Sequence, residues 1–194
     1  MTIDQSDIKP FEKNTLELTA VVDGQIIPIE EVEDQIFAGK MIGDGFGIRP
    51  TGKKVYSPVD ATIEQIASTK HAIYLSTSDN IKILIHIGID TIELKGKGFE
   101  GNLEKGMFVN KGDVLVEFDP KYIIDEGFNP VVSVIILGES SKGKEITVYP
   151  TEDALANKTI ALTTKPTHWW TGVVLGVVEN GIIADFMSLL SENA

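Results

Sequence analysis

Short apolar runs, separated by clusters of glycine, proline, aspartate and asparagine, make up most of this chain. Runs that are rich in β-branched residues and bounded by such turn residues are typical of β-strands. We predict strands at residues 62–66, 114–118, 131–137 and 145–148. One short helix is predicted at residues 120–126, with Asp119 as its N-cap and Pro120 at its first position. Many short strands joined by tight turns predict an all-β fold, a sandwich or a barrel, with little helix.

One predicted hairpin carries two of the three histidines. Its polar turn lies between two β-branched runs, at residues 68–76 and 81–90. If the turn is centred between Ser78 and Asp79, His71 stands directly opposite His86. Opposed side chains on one face of a hairpin have Cβ atoms ~4.5–5.5 Å apart, so the two imidazoles would touch. The prediction depends on the register, because a shift of one residue would send the rings to opposite faces.

Alternation along these strands separates the hairpin into two faces. One face is uniformly apolar and is predicted to lie in the core: Ile81, Ile83, Ile85, Ile87 and Ile89. The other mixes polar and apolar groups: His86, Leu84, Asp90, Thr69, His71 and Ile73. A lone histidine on a strand is more often a partly buried structural residue, but two opposed rings both need partners for their nitrogens if buried. We therefore predict a reactive site, where two imidazoles share a proton, a metal ion or a phosphoryl group.

The composition narrows the class of protein. With 194 residues and 42% hydrophobic content, the chain is large enough for one globular domain with a true core. Its formal net charge of -12 argues against a nucleic-acid partner and favours a basic protein partner. No cysteine is present, which excludes disulfides and thiolate chemistry. Neither a secretory signal nor an uninterrupted membrane-length apolar run is found, so we expect a cytoplasmic protein without a membrane span.

Several kinds of chemistry fit two neighbouring histidines. A zinc-dependent hydrolase would use His71, His86 and Asp90, although the chain has no His-x-His or His-Glu-x-x-His motif. A serine hydrolase is disfavoured because no Gly-x-Ser-x-Gly motif exists. Residues 138–144 match the first seven positions of a P-loop, but Glu145 occupies the eighth, so we predict a hairpin turn there. Covalent catalysis through a histidine nitrogen remains open.

A long and specific signature surrounds His86. It reads ILIHIGIDTIELKGKGF over residues 83–99 and resembles the signature of the glucose-type enzyme IIA domain of the bacterial phosphoenolpyruvate-dependent sugar phosphotransferase system. Supporting matches follow in family order at residues 34–45, 49–52, 57–60, 69–72 and 111–113, and the resemblance covers about residues 20–165. It implies an antiparallel β-sandwich of the duplicated-hybrid kind, similar to lipoyl and biotinyl carrier domains.

The resemblance also implies an activity, that of a phosphotransferase with a phosphohistidine intermediate. His86 would accept a phosphoryl group on Nε2 from the phosphocarrier HPr and pass it to a cysteine of an enzyme IIB domain during sugar uptake. His71 would hold the phosphoryl oxygens in its protonated form, which nearby carboxylates would favour, and Thr69 would fix the imidazole network. No cofactor and no metal are implied. The alternative is a regulatory domain that controls a sugar permease through phosphorylation of His86.

A docking surface around the histidines is implied as well. Asp34 and Asp90 would flank the site, inside an apolar ring for the partner proteins formed by Ile36, Phe37, Ile42 and Leu84. Ala67 stands where relatives often carry a bulky aromatic residue, so this ring is expected to differ locally.

The sequence changes character near both ends. We expect a polar leader at residues 1–18, the enzyme IIA domain at 19–165 and an extension at 166–194, which begins at Pro166. A linker to a further domain and an added helix or strand are both compatible with that extension.

Overall fold

The computed structural model describes residues 15–167. Its strands, in chain order, are β1 (Leu16–Thr19), β2 (Gly24–Pro28), β3 (Gly43–Pro50), β4 (Lys54–Tyr56), β5 (Ala61–Ile66), β6 (Ala72–Ser76), β7 (Lys82–Ile87), β8 (Phe99–Glu100), β9 (Phe108–Val109), β10 (Val114–Phe118), β11 (Val132–Leu137), β12 (Lys144–Val148), β13 (Thr151–Ala154) and β14 (Ile160–Pro166). The α-helices are short: α1 (Gln35–Ala38), α2 (Pro120–Asp125) and α3 (Gly138–Ser141), and single 3₁₀ turns lie at Ile29–Glu31 and Thr91–Leu94.

The strands form three antiparallel sheets. The largest has eight strands in the order β13-β2-β3-β11-β7-β6-β5-β9, and the two smaller sheets have the orders β1-β14-β12 and β4-β10-β8. The main core joins all three sheets, with fully buried residues such as Leu18, Ile48, Val116 and Leu162. The prediction of an all-β antiparallel sandwich with little helix is confirmed.

A second, smaller apolar cluster lies on the opposite face of the large sheet. It consists of Ile27, Ile29, Val32, Phe37, Ala72, Leu84, Val131 and Ile135. Leu84 and His86 are two residues apart in β7, so their side chains point to the same face of the sheet. The cluster therefore packs beneath the predicted site.

Most predicted elements occur within one residue of their expected bounds. Strand β10 coincides with the prediction, and β5, β11 and β12 differ by one residue at their first position. Helix α2 begins at Pro120, and the Asp119 side chain accepts a hydrogen bond from the Tyr122 N–H at 3.2 Å, as expected of an N-cap. The segment at residues 138–144 was predicted wrongly: it contains the one-turn helix α3, and β11 and β12 belong to different sheets rather than to one hairpin.

The register of the histidine hairpin is also shifted from the prediction. Ala72, not His71, pairs with His86, and Ile73 pairs with Ile85 and lies in the main core. The turn has three residues rather than two, because the Thr77 N–H donates to the Ile81 carbonyl at 3.0 Å. Its last residue, Asn80, takes the left-handed conformation with φ 60°, which is typical of three-residue hairpin loops.

His71 lies outside β6, in the turn that connects β5 to β6. The Lys70 N–H donates to the Ala67 carbonyl at 2.8 Å, and Lys70 is left-handed with φ 62°. Because the chain turns here, strand alternation does not extend to His71, and its ring comes to the His86 side in spite of the shifted register. The predicted contact of the two rings therefore exists, for a reason different from the one predicted.

The ordered sheets extend across both predicted boundaries. β1 begins at Leu16, and its Glu17 pairs with Thr163 of β14, which itself ends at Pro166. Residues 1–14 of the predicted leader and 168–194 of the predicted extension lie outside the described residues. Between residues 15 and 167, no helix is long and apolar enough to cross a membrane.

Candidate functional site

His86 is the penultimate residue of β7 and is half-buried. Its Nδ1 lies 2.7 Å from the carbonyl oxygen of Gly88. A carbonyl oxygen only accepts hydrogen bonds, so Nδ1 must carry the proton. In the neutral ring the other nitrogen, Nε2, is therefore left with a free lone pair.

His71 is buried, with 7% of its surface exposed. Its Nδ1 is 2.6 Å from the Thr69 hydroxyl, and its ring meets the His86 ring edge to face, with centroids 5.0 Å apart. Burial, together with the neighbouring His86, lowers the pKa of His71 from 6.5 to about 4. The expectation of a protonated His71 is therefore wrong for the unphosphorylated protein: the ring is neutral at neutral pH.

The pKa of His86 is also lowered, mainly by burial. Three neighbours oppose this shift: the hydrogen bond to Gly88, and the negative charges of Asp34 and Asp90. Both predicted carboxylates are thus close enough to act on His86 electrostatically. With the two rings neutral, one can offer a lone pair while the other donates an N–H.

The two carboxylates differ in how they are held. Asp34 caps α1, where its Oδ1 accepts hydrogen bonds from the N–H groups of Ile36 at 2.8 Å and Phe37 at 3.2 Å. Asp90 is exposed and takes the left-handed conformation, with φ 58°, just before the second 3₁₀ turn. Asp34 is therefore anchored, whereas Asp90 faces solvent at the rim.

The apolar residues around the site divide into two groups. Phe37 and Leu84 are buried, with 6% and 3% of their surface exposed, and the Phe37 ring contacts that of His86 with centroids 5.2 Å apart. Ile36 and Ile42 are exposed, at 49% and 37%. Phe37 and Leu84 thus support the site from below, and only the two isoleucines of the predicted ring offer a large surface to a partner.

Sequence reasoning missed Met41, which is 74% exposed between Ile42 and α1. A run of apolar residues in a turn, where no periodicity buries them, is the signal that could have identified it. We call the exposed residues Ile36, Met41 and Ile42 the apolar rim.

Among residues 15–167, no cluster of three or more histidine, aspartate and glutamate side chains is arranged to hold a metal ion. His71, His86 and Asp90 therefore do not form the three-ligand set that zinc-dependent hydrolysis needs. The arrangement instead suits group transfer: a nucleophilic ring nitrogen, an adjacent N–H donor and a surface on which another protein can dock.

Comparisons with known proteins agree with this chemistry. Residues 16–142 match the family described as the phosphoenolpyruvate-dependent sugar phosphotransferase system, EIIA 1. The glucose-specific EIIA component of Staphylococcus epidermidis is 36% identical over 151 residues, covering 78% of this chain and 90% of that protein. The glucose-specific EIICBA component of Staphylococcus saprophyticus is 41% identical over 138 residues, which cover 71% of this chain and 20% of that longer protein.

A solved structure shows the same fold. The glucose permease IIA of Mycoplasma capricolum superposes with a TM-score of 0.71 at 31% sequence identity, over 79% of this chain and 98% of that one. The family model and the solved structure agree with each other. The chain accordingly belongs to the EIIA family of the phosphoenolpyruvate-dependent sugar phosphotransferase system, whose members carry phosphoryl groups in sugar uptake.

Proposed function

We propose that His86 is the phosphoryl acceptor of this EIIA domain and that Nε2 is the atom that reacts. The observation that carries the proposal is the hydrogen bond from His86 Nδ1 to the Gly88 carbonyl at 2.7 Å. It keeps the proton on Nδ1, so Nε2 attacks without first losing a proton. The new N–P bond forms on Nε2 as the bond between phosphorus and the donor breaks, and the Nδ1 proton stays in place.

His71 and Thr69 would steady the transferred group. We assign the proton of the neutral His71 ring to Nε2, so that Nδ1, which lies 2.6 Å from the Thr69 hydroxyl, accepts the hydrogen bond from that hydroxyl. The Nε2–H group donates to a phosphoryl oxygen as negative charge arrives beside it. Phosphoryl transfer depends mostly on positioning and charge stabilisation, and the edge-to-face ring contact supplies the positioning.

The donor is the phosphocarrier HPr, and the acceptor is a cysteine of an enzyme IIB domain. Asp34 and Asp90 favour basic partner surfaces beside His86, in keeping with the net charge of -12. The chain has no cysteine, so a thiol acceptor must belong to another domain or protein. Both transfers take place in the cytoplasm.

The apolar rim would seal the site during each transfer. When a partner covers Ile36, Met41 and Ile42, water is displaced from the reacting nitrogen, and hydrolysis of the phosphohistidine is suppressed. Phe37 and Leu84 support this rim from the buried side. The partner permease is of the glucose type, as the names of the related EIIA and EIICBA components suggest.

Reconstituted transfer tests the proposal. The chain is incubated with enzyme I, HPr and radiolabelled phosphoenolpyruvate, and the label is located by mass spectrometry. We expect an acid-labile phosphoryl group on His86, which moves to an added IIB domain, and none on a His86→Ala variant. A label on another residue would refute the assignment. Label that stays on His86 in the presence of IIB domains would favour the regulatory role.

A further inference from the structure

Gly88 supplies the carbonyl that sets the tautomer of His86, and the peptide group of that carbonyl is held at both ends. The Gly88 oxygen accepts from His86 Nδ1, while the N–H of Ile89, in the same peptide group, donates to the Asn129 carbonyl at 2.9 Å. A peptide group is planar, so fixing its N–H also fixes the direction of its C=O. The tautomer of His86 thus depends on the orientation of one peptide plane.

The preceding peptide group is held in the same way. The Gly88 N–H donates to the Val131 carbonyl at 2.8 Å, and the Ile87 carbonyl accepts from the Thr91 hydroxyl at 2.5 Å. Gly88 has φ 78°, a left-handed conformation that costs glycine little. Because glycine rotates easily, the turn owes its orientation to the hydrogen bonds on its two flanking peptide groups.

The two peptide groups that flank Gly88 thus make four hydrogen bonds, and two of these involve a side chain: that of His86 in one and that of Thr91 in the other. Thr91 is fully buried, and its methyl carbon lies 2.3 Å from the point that a Cβ on Gly88 would occupy. Both the hydroxyl and the methyl group of Thr91 therefore contact the turn. The other two bonds run between backbone groups, so, apart from His86, Thr91 is the side chain whose substitution would remove one of these four bonds.

We propose that Thr91 is a positioning residue, whose hydroxyl holds the Gly88 turn so that the Gly88 carbonyl keeps a proton on His86 Nδ1 and leaves Nε2 free. This inference rests on the proposed role of His86 as the phosphoryl acceptor. When the hydroxyl is removed, the Ile87 carbonyl loses a partner and the Gly88 carbonyl moves away from Nδ1. The proton then occupies Nε2 in part of the molecules, and those molecules do not attack phosphorus.

Nuclear magnetic resonance of ¹⁵N-labelled histidine reads the tautomer directly, in the full unphosphorylated chain at neutral pH. We expect the Thr91→Val variant, which keeps the shape of the side chain, to shift His86 towards the Nε2–H form. Its phosphoryl uptake from phospho-HPr should slow by roughly two- to tenfold, the factor that one hydrogen bond gives. The Thr91→Ser variant keeps a hydroxyl and should retain the wild-type tautomer and nearly the wild-type rate.

Thr164→Val is the matched control. Thr164 is equally buried, and its hydroxyl accepts from the Leu16 N–H at 3.0 Å in the small sheet β1-β14-β12. The control should lose stability without any change in the His86 tautomer. A wild-type tautomer in folded Thr91→Val, or an equal shift in Thr164→Val, would overturn the inference.

Two further outcomes are informative. If Thr91→Val does not fold, Thr91→Cys replaces it, because a thiol is a much weaker donor than the Ser hydroxyl of similar size. Identical tautomers in the Cys and Ser variants would then reject the role of Thr91. If wild-type His86 takes up no phosphoryl group but Thr91→Val still alters the tautomer, the proposed function fails while the positioning role of Thr91 stands.

Discussion

The imidazoles of His71 and His86 meet edge to face, with centroids 5.0 Å apart and ring planes inclined at 82°. Protonation of His71 is disfavoured by its burial and by the neighbouring His86, and burial is also the main reason that the pKa of His86 is lowered. Both rings are therefore neutral at neutral pH, each with one nitrogen engaged by a fixed oxygen: the Thr69 hydroxyl for His71 and the Gly88 carbonyl for His86. Because the two rings have different oxygen partners, one can offer a lone pair while the other donates an N–H.

The first prediction separates the two histidines. A His71→Gln variant should accept a phosphoryl group from phospho-HPr, because His86 Nε2 is unchanged. It should pass the group on poorly to a IIB domain, because a flexible amide does not hold the phosphoryl oxygens where the His71 ring, fixed by Thr69 and by its contact with His86, would hold them. Single-turnover measurements of the two half-reactions test this, with His86→Ala as the variant that should fail in the first. Onward transfer at the wild-type rate would contradict the role proposed for His71.

Phosphoryl uptake should depend on pH through His86. The reacting nitrogen is protonated below the pKa of His86, which lies beneath the ordinary 6.5 because the ring is buried. The rate constant for uptake should hence fall in acidic solution in proportion to the neutral fraction of His86, with a midpoint below pH 6.5. Stopped-flow transfer from pre-formed phospho-HPr over a series of pH values provides the measurement. A midpoint above pH 6.5 would show that burial does not protect His86 from protonation.

Stability should decrease in acid for a related reason. The unfolded chain binds a proton on His71 near pH 6.5, whereas the folded chain does so only near pH 4. The contribution of His71 to the free energy of unfolding is thus fully present above pH 6.5 and is lost as the pH falls to about 4; it amounts to at most roughly 3 kcal/mol. Urea denaturation across this range should show a smaller loss for His71→Gln. Equal losses in the two proteins would refute this assignment.

Gly88 should tolerate substitution poorly. An alanine there combines the cost of a left-handed residue, roughly 1–2 kcal/mol, with contact between its Cβ and the Thr91 methyl, for which overpacking costs typically 1–3 kcal/mol. Gly106 is the matched control, since its φ of 92° is also left-handed but no atom lies within 4 Å of an added Cβ. Denaturation should show that Gly88→Ala is the more destabilising of the two. The reverse order would mean that packing against Thr91 does not hold the turn.

The apolar rim should contribute to docking rather than to stability. Met41 is 74% exposed, so a Met41→Asp variant should keep the wild-type free energy of unfolding but raise the KM for phospho-HPr. Leu155, which is 52% exposed between β13 and β14, provides the control: Leu155→Asp should leave the KM unchanged. An unaltered KM for Met41→Asp would remove Met41 from the partner surface.

Much of the fold could be predicted because it is encoded in neighbouring residues. The strand β10 and the helix α2 follow from patterns within a few residues, an alternating apolar run in one case and an Asp-Pro start in the other. The signature around His86 identified the family, which the comparisons confirm. Those features need no knowledge of what packs against them.

The geometry of the site could not be predicted in the same way. Asn80 lengthened the hairpin turn and shifted the register by one residue, and the turn at Lys70 still brought the His71 ring to His86. Phe37 and Leu84 were expected at the surface but are buried, because they belong to the smaller apolar cluster on the face of the large sheet that carries the site.

By itself, the sequence determined that this protein is an antiparallel β domain with two histidines in one neighbourhood, because turn chemistry and alternation are local properties. Only the tertiary structure decided which nitrogen of His86 is free. That choice depends on the Gly88 carbonyl, whose peptide group is held by the distant backbone of Asn129. The direction of a carbonyl arises from contacts between residues far apart in the chain, and no local pattern records it.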